Sequence, residues 1–239
     1  MKNKLNQIQA RFDIQGKASG SDETDMYMYG DIGANWWGEG ITDKQVLKTL
    51  NSIKTNIVNI HINSYGGDVF QGIAISNILK QSEKTVNIYV DGIAASAASI
   101  VAMGAEKIYM PKNTQLMIHN PWTYASGNAD ELEKVVSSLR KAESSIVETY
   151  MERFSGTADE LKVLLEKEEY LTAEEALLCG LADEILDKAI VEEPVTKNSI
   201  IDRLRIAAQV QPLVSGGSGD VREPAETNNT IKNFINLFK

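Results

Sequence analysis

The sequence predicts an α/β fold with a mainly parallel sheet and helices on the sheet faces. Two observations carry this. Strand-like and helix-like runs alternate through the middle of the chain, the pattern of parallel strands joined by crossover helices. The strand-like runs also end at backbone punctuation: NIVNIHINS (56–64) runs into Gly66-Gly67, TVNIYVDG (85–92) into Gly92, and QLMIHNP (115–121) into Pro121. At 239 residues and 43% hydrophobic content, one main domain with tails is the natural organisation.

The elements follow in chain order. Residues 1–25 are mostly polar and read as a weakly ordered N-terminal segment, with one short strand around 11–15. MYMYGDIG (26–33) reads as a strand. GANWWGEG (33–40) is a glycine-punctuated loop whose Trp36 and Trp37 suit either a contact surface or a satellite apolar cluster. In ITDKQVLKTLNSI, Val46, Leu47, Leu50 and Ile53 recur at helical spacing. A strand over 56–64, a helix over 68–81 and a strand over 85–92 come next, then strands over 107–110 and 115–121. A long helix is expected over 129–154, opened by Asn128 and Glu131 at capping-box spacing and stopped by Gly156. Leu132, Val135, Val136, Leu139, Ile146, Val147, Tyr150 and Phe154 form its apolar stripe. That length suits either internal packing or a helix that protrudes to meet another subunit. Thr172-Ala173-Glu174-Glu175 is a capping box for a short helix ending near Gly180, and LADEIL (181–186) returns as a strand. The main domain is bounded at 26–190. Residues 191–239 read as linker and tail, closing on an amphipathic stretch with Ile231, Phe234, Ile235 and Phe238 on one face.

Composition excludes several classes. The formal charge of −9, from 24 basic and 33 acidic side chains, offers no field for nucleic acid. A single cysteine, Cys179, excludes an internal disulfide framework, and its helical setting suits a buried small residue. No apolar run reaches the ~18 residues of a membrane span. A soluble, cytoplasmic protein is expected, with no nucleic-acid or membrane partner. There is no P-loop, so no ATP hydrolysis of its own, and no cofactor or metal is called for.

The chemistry gathers at strand ends, where α/β folds place active groups. The stretch GIAASAASI (92–100) carries Ser96 and Ser99 among alanines. Alone it reads as a tightly packed helix start. Yet if a helix begins near Ala95, Ser96 falls in its first turn, at the positive end of the dipole, with small neighbours leaving room for a substrate chain. Ser99 would sit one turn deeper. Of the two histidines, His61 lies mid-strand and His119 lies at a strand's carboxyl edge, so His119 is the better-placed base. The Gly66-Gly67 pair and the Ala97 N–H could supply oxyanion donors. Glu166, Glu168 and Glu169 are all candidate acids, and pattern alone does not choose between them.

At GGDVFQGIAISN, GIAASAAS, MIHNP and LTAEEALLCGLAD, in that order, the chain resembles the ClpP-type serine peptidases, and within them the phage and prophage prohead (head maturation) branch. The resemblance covers about residues 26–186. It implies a ClpP/crotonase-like α/β fold, Ser96 as nucleophile, His119 as base, Glu168 as acid, and Gly67 with Ala97 as oxyanion donors. It implies homo-oligomeric rings, heptameric and stacked in pairs through a protruding handle helix at 129–154. It further implies peptide hydrolysis through an acyl-enzyme, with phage capsid or scaffold proteins as substrates. Glu168 stands where housekeeping members carry Asp, and Tyr65 where they carry proline. The N-terminal segment does not look like the family's axial loops, which leaves a Clp-type unfoldase ATPase an open question as partner. Three other readings share parts of the pattern: an ATPase-dependent degradation protease, a crotonase-fold acyl-CoA enzyme, and a catalytically inactive ring.

Overall fold

The computed structural model describes residues 8, 10–16, 21–34 and 40–186. Trp36, Trp37 and the amphipathic stretch around Phe234 lie outside the described residues. Among the described residues, eight strands form one sheet: β1 (Arg11–Gly16), β2 (Glu23–Tyr29), β3 (Ile57–Ser64), β4 (Thr85–Ala95), β5 (Lys107–Pro111), β6 (Gln115–Met117), β7 (Tyr170–Thr172) and β8 (Glu184–Leu186). Six helices accompany them: α1 (Asp43–Ser52), α2 (Val69–Lys80), α3 (Ala97–Ala102), α4 (Ala129–Met151), α5 (Ala158–Lys167) and α6 (Ala173–Leu178). The order across the sheet is β1-β2-β3-β4-β5-β8, with β6 pairing β4 and β7 pairing β6. Every pair is parallel except β1–β2 and β6–β7.

Local chemistry sets the helix starts. α1, α4, α5 and α6 each open on a reciprocal capping box, at Thr42–Gln45, Asn128–Glu131, Thr157–Glu160 and Thr172–Glu175. At α2 the Asp68 carboxylate accepts from the backbone N–H groups of Phe70 (2.8 Å) and Gln71 (3.0 Å). α4 is shorter than the expected 129–154. Arg153 and Phe154 both donate to the Tyr150 carbonyl, and Ser155 N–H turns to the Cys179 carbonyl at 2.8 Å, so the chain leaves the helix before Gly156. The N-terminal half of α4 is largely exposed, Leu132 and Val136 included, while Ala142, Ile146, Val147 and Tyr150 anchor its other half in the core.

The core lies against one face of the sheet. Met26, Met28, Val58, Ile60, Ile62, Val86, Ile88, Val90, Ile108 and Met110 are buried there with Val46, Leu50, Ile75 and Leu79 of the helices. Burial alternates along β2 and along most of β3–β5, so the described strands bury one face rather than the two expected. On the other face Tyr27, His61, Tyr89 and Tyr109 share one register row and stack at 4.8, 5.2 and 4.7 Å, with the Arg11 guanidinium 3.6 Å over Tyr27.

One irregularity positions the site. Between the pairs Ile62↔Val90 and Ser64↔Ala94, two steps of β3 face four of β4. Gly92 sits in that bulge, where a Cβ would come 2.7 Å from the Asn63 Oδ1. Past the bulge β4 leaves β5, which it pairs over Asn87–Tyr89, and takes β6 as neighbour at Ile93–Ala95. The end of β4 is thereby aimed at the end of β6.

Candidate active site

Ser96 stands between the last residue of β4 and the first of α3. The strand continues to Ala95, so Ser96 occupies the cap position rather than the first helical turn. Its φ of 54° and ψ of −125° are unusual for a side-chain-bearing residue. Ser96 and Glu168 are the two described non-glycine residues with positive φ, and such outliers persist only where surrounding structure holds them. The hold is visible. Ser96 N–H donates to the Met117 carbonyl at 2.9 Å, and the Ser96 carbonyl accepts from the N–H groups of Ser99 (3.0 Å) and Ile100 (3.2 Å). Gly66 packs directly against this turn: a Cβ there would lie 2.6 Å from the Ala95 oxygen and 2.7 Å from the Ser96 Cβ.

His119 lies two residues past β6, which ends at Met117 rather than continuing to 121. β6 stops because β4, its partner, stops at Ala95. The segment is then held by Asn120 N–H donating to the Leu165 carbonyl at 3.2 Å. The His119 Nε2 is 2.6 Å from the Ser96 Oγ. Burial lowers the His119 pKa from its ordinary value, while the charge of Glu168 pulls it the other way. His61, by contrast, lies in the aromatic row, with its Nδ1 2.9 Å from the Asp91 carboxylate.

The β6–β7 ladder ends close to both His119 and Glu168, the glutamate whose charge is felt at the ring. Met117 pairs with Tyr170 at the end of that ladder, which leaves His119 and Glu168 each two residues beyond it. Glu168 caps α5 in the left-handed region, with φ 54° and ψ 44°. Its carboxylate acts on His119 through space, with no hydrogen bond between these two described residues. Both α5 and β7 escape the sequence reading. Thr157 and Glu160 were a legible capping box for α5, whereas β7 is three residues long and is defined only by its partner.

The oxyanion candidates are Gly67 and Ala97. Among the described residues neither N–H is taken by a backbone carbonyl in a turn or cap, whereas the Ser96 N–H is already committed to Met117. Gly67 is held at φ 148° beside Ile32, whose N–H donates to the Gly66 carbonyl and whose carbonyl accepts from Asp68 N–H, both at 2.8 Å. Ala97 is held from behind by Gly72 of α2, where a Cβ would come 2.8 Å from the Ala97 carbonyl oxygen.

Ser96, His119 and Gly67 line a cavity of about 840 Å³. Ile100, Met117, Ala142 and Ile146 give it an apolar floor, and the exposed rings of Tyr65, Phe70, Trp122, Tyr124 and Tyr170 form its rim. The rim was not read from the sequence, because these aromatics come from three separate segments. A strained serine bonded to a half-buried imidazole, beside the Gly67 and Ala97 amides and an apolar groove, can add its hydroxyl to a carbonyl of an extended chain.

Comparison with known proteins bears on the family and the fold. A family model described as Clp protease matches residues 22–189. The ATP-dependent Clp protease proteolytic subunit of Chlamydomonas reinhardtii is 29% identical over 221 residues, covering 89% of this chain. The chain spans only 42% of the length of that relative. A solved structure of a ClpP1 mutant from Listeria monocytogenes aligns with a TM-score of 0.59 at 23% identity, over 74% of this chain and 94% of that one.

Proposed function

Since this chain belongs to the Clp protease family, we propose that it is a serine endopeptidase with Ser96 as nucleophile, His119 as base and Glu168 as orienting acid. The observation that carries the reading is the 2.6 Å contact between Ser96 Oγ and His119 Nε2. Neutral His119 takes the hydroxyl proton as Oγ bonds to the substrate carbonyl carbon. The carbonyl oxygen becomes an oxyanion, received by the N–H groups of Gly67 and Ala97. Glu168 stabilises the imidazolium through its charge. His119 then returns the proton to the leaving amine as the peptide C–N bond breaks. Water, deprotonated by the same imidazole, hydrolyses the acyl-enzyme and frees Ser96.

A fluorophosphonate probe tests this directly. Wild type is expected to label, Ser96→Ala and His119→Ala to lose labelling, and His61→Ala to keep it. Labelling that persists in Ser96→Ala, or fails in wild type, refutes the assignment. A wild type that binds a CoA thioester without labelling would point to an acyl-CoA enzyme. Loss of both activities would point to an inactive ring.

Assembly and substrate complete the proposal. The chain forms homo-oligomeric rings, heptameric and stacked through α4, whose exposed Leu132 and Val136 are suited to meeting another subunit. Native mass spectrometry reads the subunit number. Phage capsid or scaffold proteins are the proposed substrates, a reading supported by Glu168, which stands where the resemblance to phage-type relatives implies a glutamate. A second reading has support of its own: the curated relative is a proteolytic subunit of an ATP-dependent protease. Retention of a host unfoldase ATPase on the purified ring would favour that reading, and processing of a co-expressed scaffold protein without ATP would favour the first.

A further inference from the structure

We infer that Ser99 and Tyr150 form a positioning pair for the reaction, a hydrogen-bonded latch that ties both the nucleophile's turn and the base's strand to α4. The inference rests on the reading of Ser96 as nucleophile and His119 as base.

The geometry is a convergence on one buried hydroxyl. Ser99 Oγ lies 2.7 Å from the Ser96 carbonyl oxygen, 2.9 Å from the Met117 carbonyl oxygen and 2.7 Å from the Tyr150 hydroxyl. Ser99 has a single proton, and the two carbonyls can only accept. That proton therefore goes to the carbonyls, and the Tyr150 O–H donates to Ser99. Tyr150 is buried, and a phenol without a partner there would be costly, so its proton direction is set as well. Burial also raises the Tyr150 pKa, which keeps the phenol a donor.

The two carbonyls belong to the two elements that must meet. One is the carbonyl of the nucleophile itself. The other, Met117, is two residues before His119 and also accepts the Ser96 N–H. Ser99 thus holds the strained serine and the end of β6 from the same point, and Tyr150 joins that point to the helix whose far end is exposed. Neither side chain touches the reacting atoms. Their effect is to keep Ser96 Oγ and His119 Nε2 at bonding distance while φ of Ser96 stays positive.

The test uses the full chain with Tyr150→Phe, Ser99→Ala and the double variant. Rate and affinity of fluorophosphonate acylation are measured separately, alongside Tm. Tyr150→Phe is expected to slow acylation roughly tenfold at unchanged probe affinity. Ser99→Ala is expected to slow it further and to lower Tm by orphaning the phenol. The double variant has no orphaned group, so its Tm should return towards wild type while acylation stays slow. Should Ser99→Ala fail to fold, the double variant carries the comparison. Wild-type acylation by Tyr150→Phe, or recovery of rate together with Tm in the double variant, overturns the positioning role and leaves the peptidase reading intact. A wild type that does not label at Ser96 overturns both.

Discussion

Gly67→Ala should disable the site through a clash whose size is set by the fold. A Cβ at Gly67 would lie 2.1 Å from the Ile32 carbonyl oxygen, 3.0 Å from its carbon and 3.1 Å from the Ile32 nitrogen. Carbon–oxygen contacts settle near ~3.3 Å, so the loop must give by roughly 1 Å. Ile32 cannot easily retreat, because its N–H and carbonyl are both bonded at 2.8 Å across the bridge to Gly66 and Asp68. Asp68 in turn caps α2, so displacement falls on Gly67 itself. A side chain at φ 148° adds strain of about 1–3 kcal/mol. The N–H offered to the oxyanion then moves by about its own hydrogen-bond tolerance, and a 1 Å error costs on the order of 100-fold in rate, or about 2.7 kcal/mol. The assay is kcat and KM on a fluorogenic peptide, with circular dichroism to establish that the variant is folded. The expected result is a folded protein with kcat down about 100-fold and KM little changed. A folded Gly67→Ala enzyme with wild-type kcat would refute the oxyanion role and the clash argument together.

Acylation requires neutral His119, so its rate should rise with pH through the imidazole pKa and then level off. Burial dominates and lowers that pKa, placing the midpoint below the ordinary value of about 6.5. Glu168→Gln removes the opposing charge, so it should lower the midpoint further and reduce the plateau rate; a midpoint that rises in this variant contradicts the assignment. Burial pushes the Cys179 thiol up to about 12, so iodoacetamide should leave the native protein unmodified and alkylate it fully in denaturant. Asn128→Ala removes the capping box of α4, worth about 1 kcal/mol. Amide exchange should quicken in the first turn of that helix while the Ser96 labelling rate stays unchanged.

Much of this was legible before folding. The strands at 56–64 and 85–92, the helix at 68–81 and the capped starts at Asn128 and Thr172 rest on signals only a few residues long. Ser96 and His119 stood out because small residues or proline mark where their strands must end. The missed strand boundaries share one cause: a strand's length is decided by its neighbour. β4 runs to Ala95 because β6 pairs it there, and β6 stops at Met117 because β4 does. The three-residue β7 exists only as a partner to β6.

The sequence by itself determined which residues could act: a serine among alanines, a histidine before proline, a glycine pair and three nearby glutamates. Tertiary structure decided how they are held. It brought the charge of Glu168 to His119 just beyond the β6–β7 ladder, placed His61 in the aromatic row, and gathered Ser96, Met117 and Tyr150 onto Ser99 across separations of up to 51 positions. Periodicity and capping are short-range and survive in a string of letters. Register, strain and shared hydrogen bonds exist only between segments that the fold has already brought together.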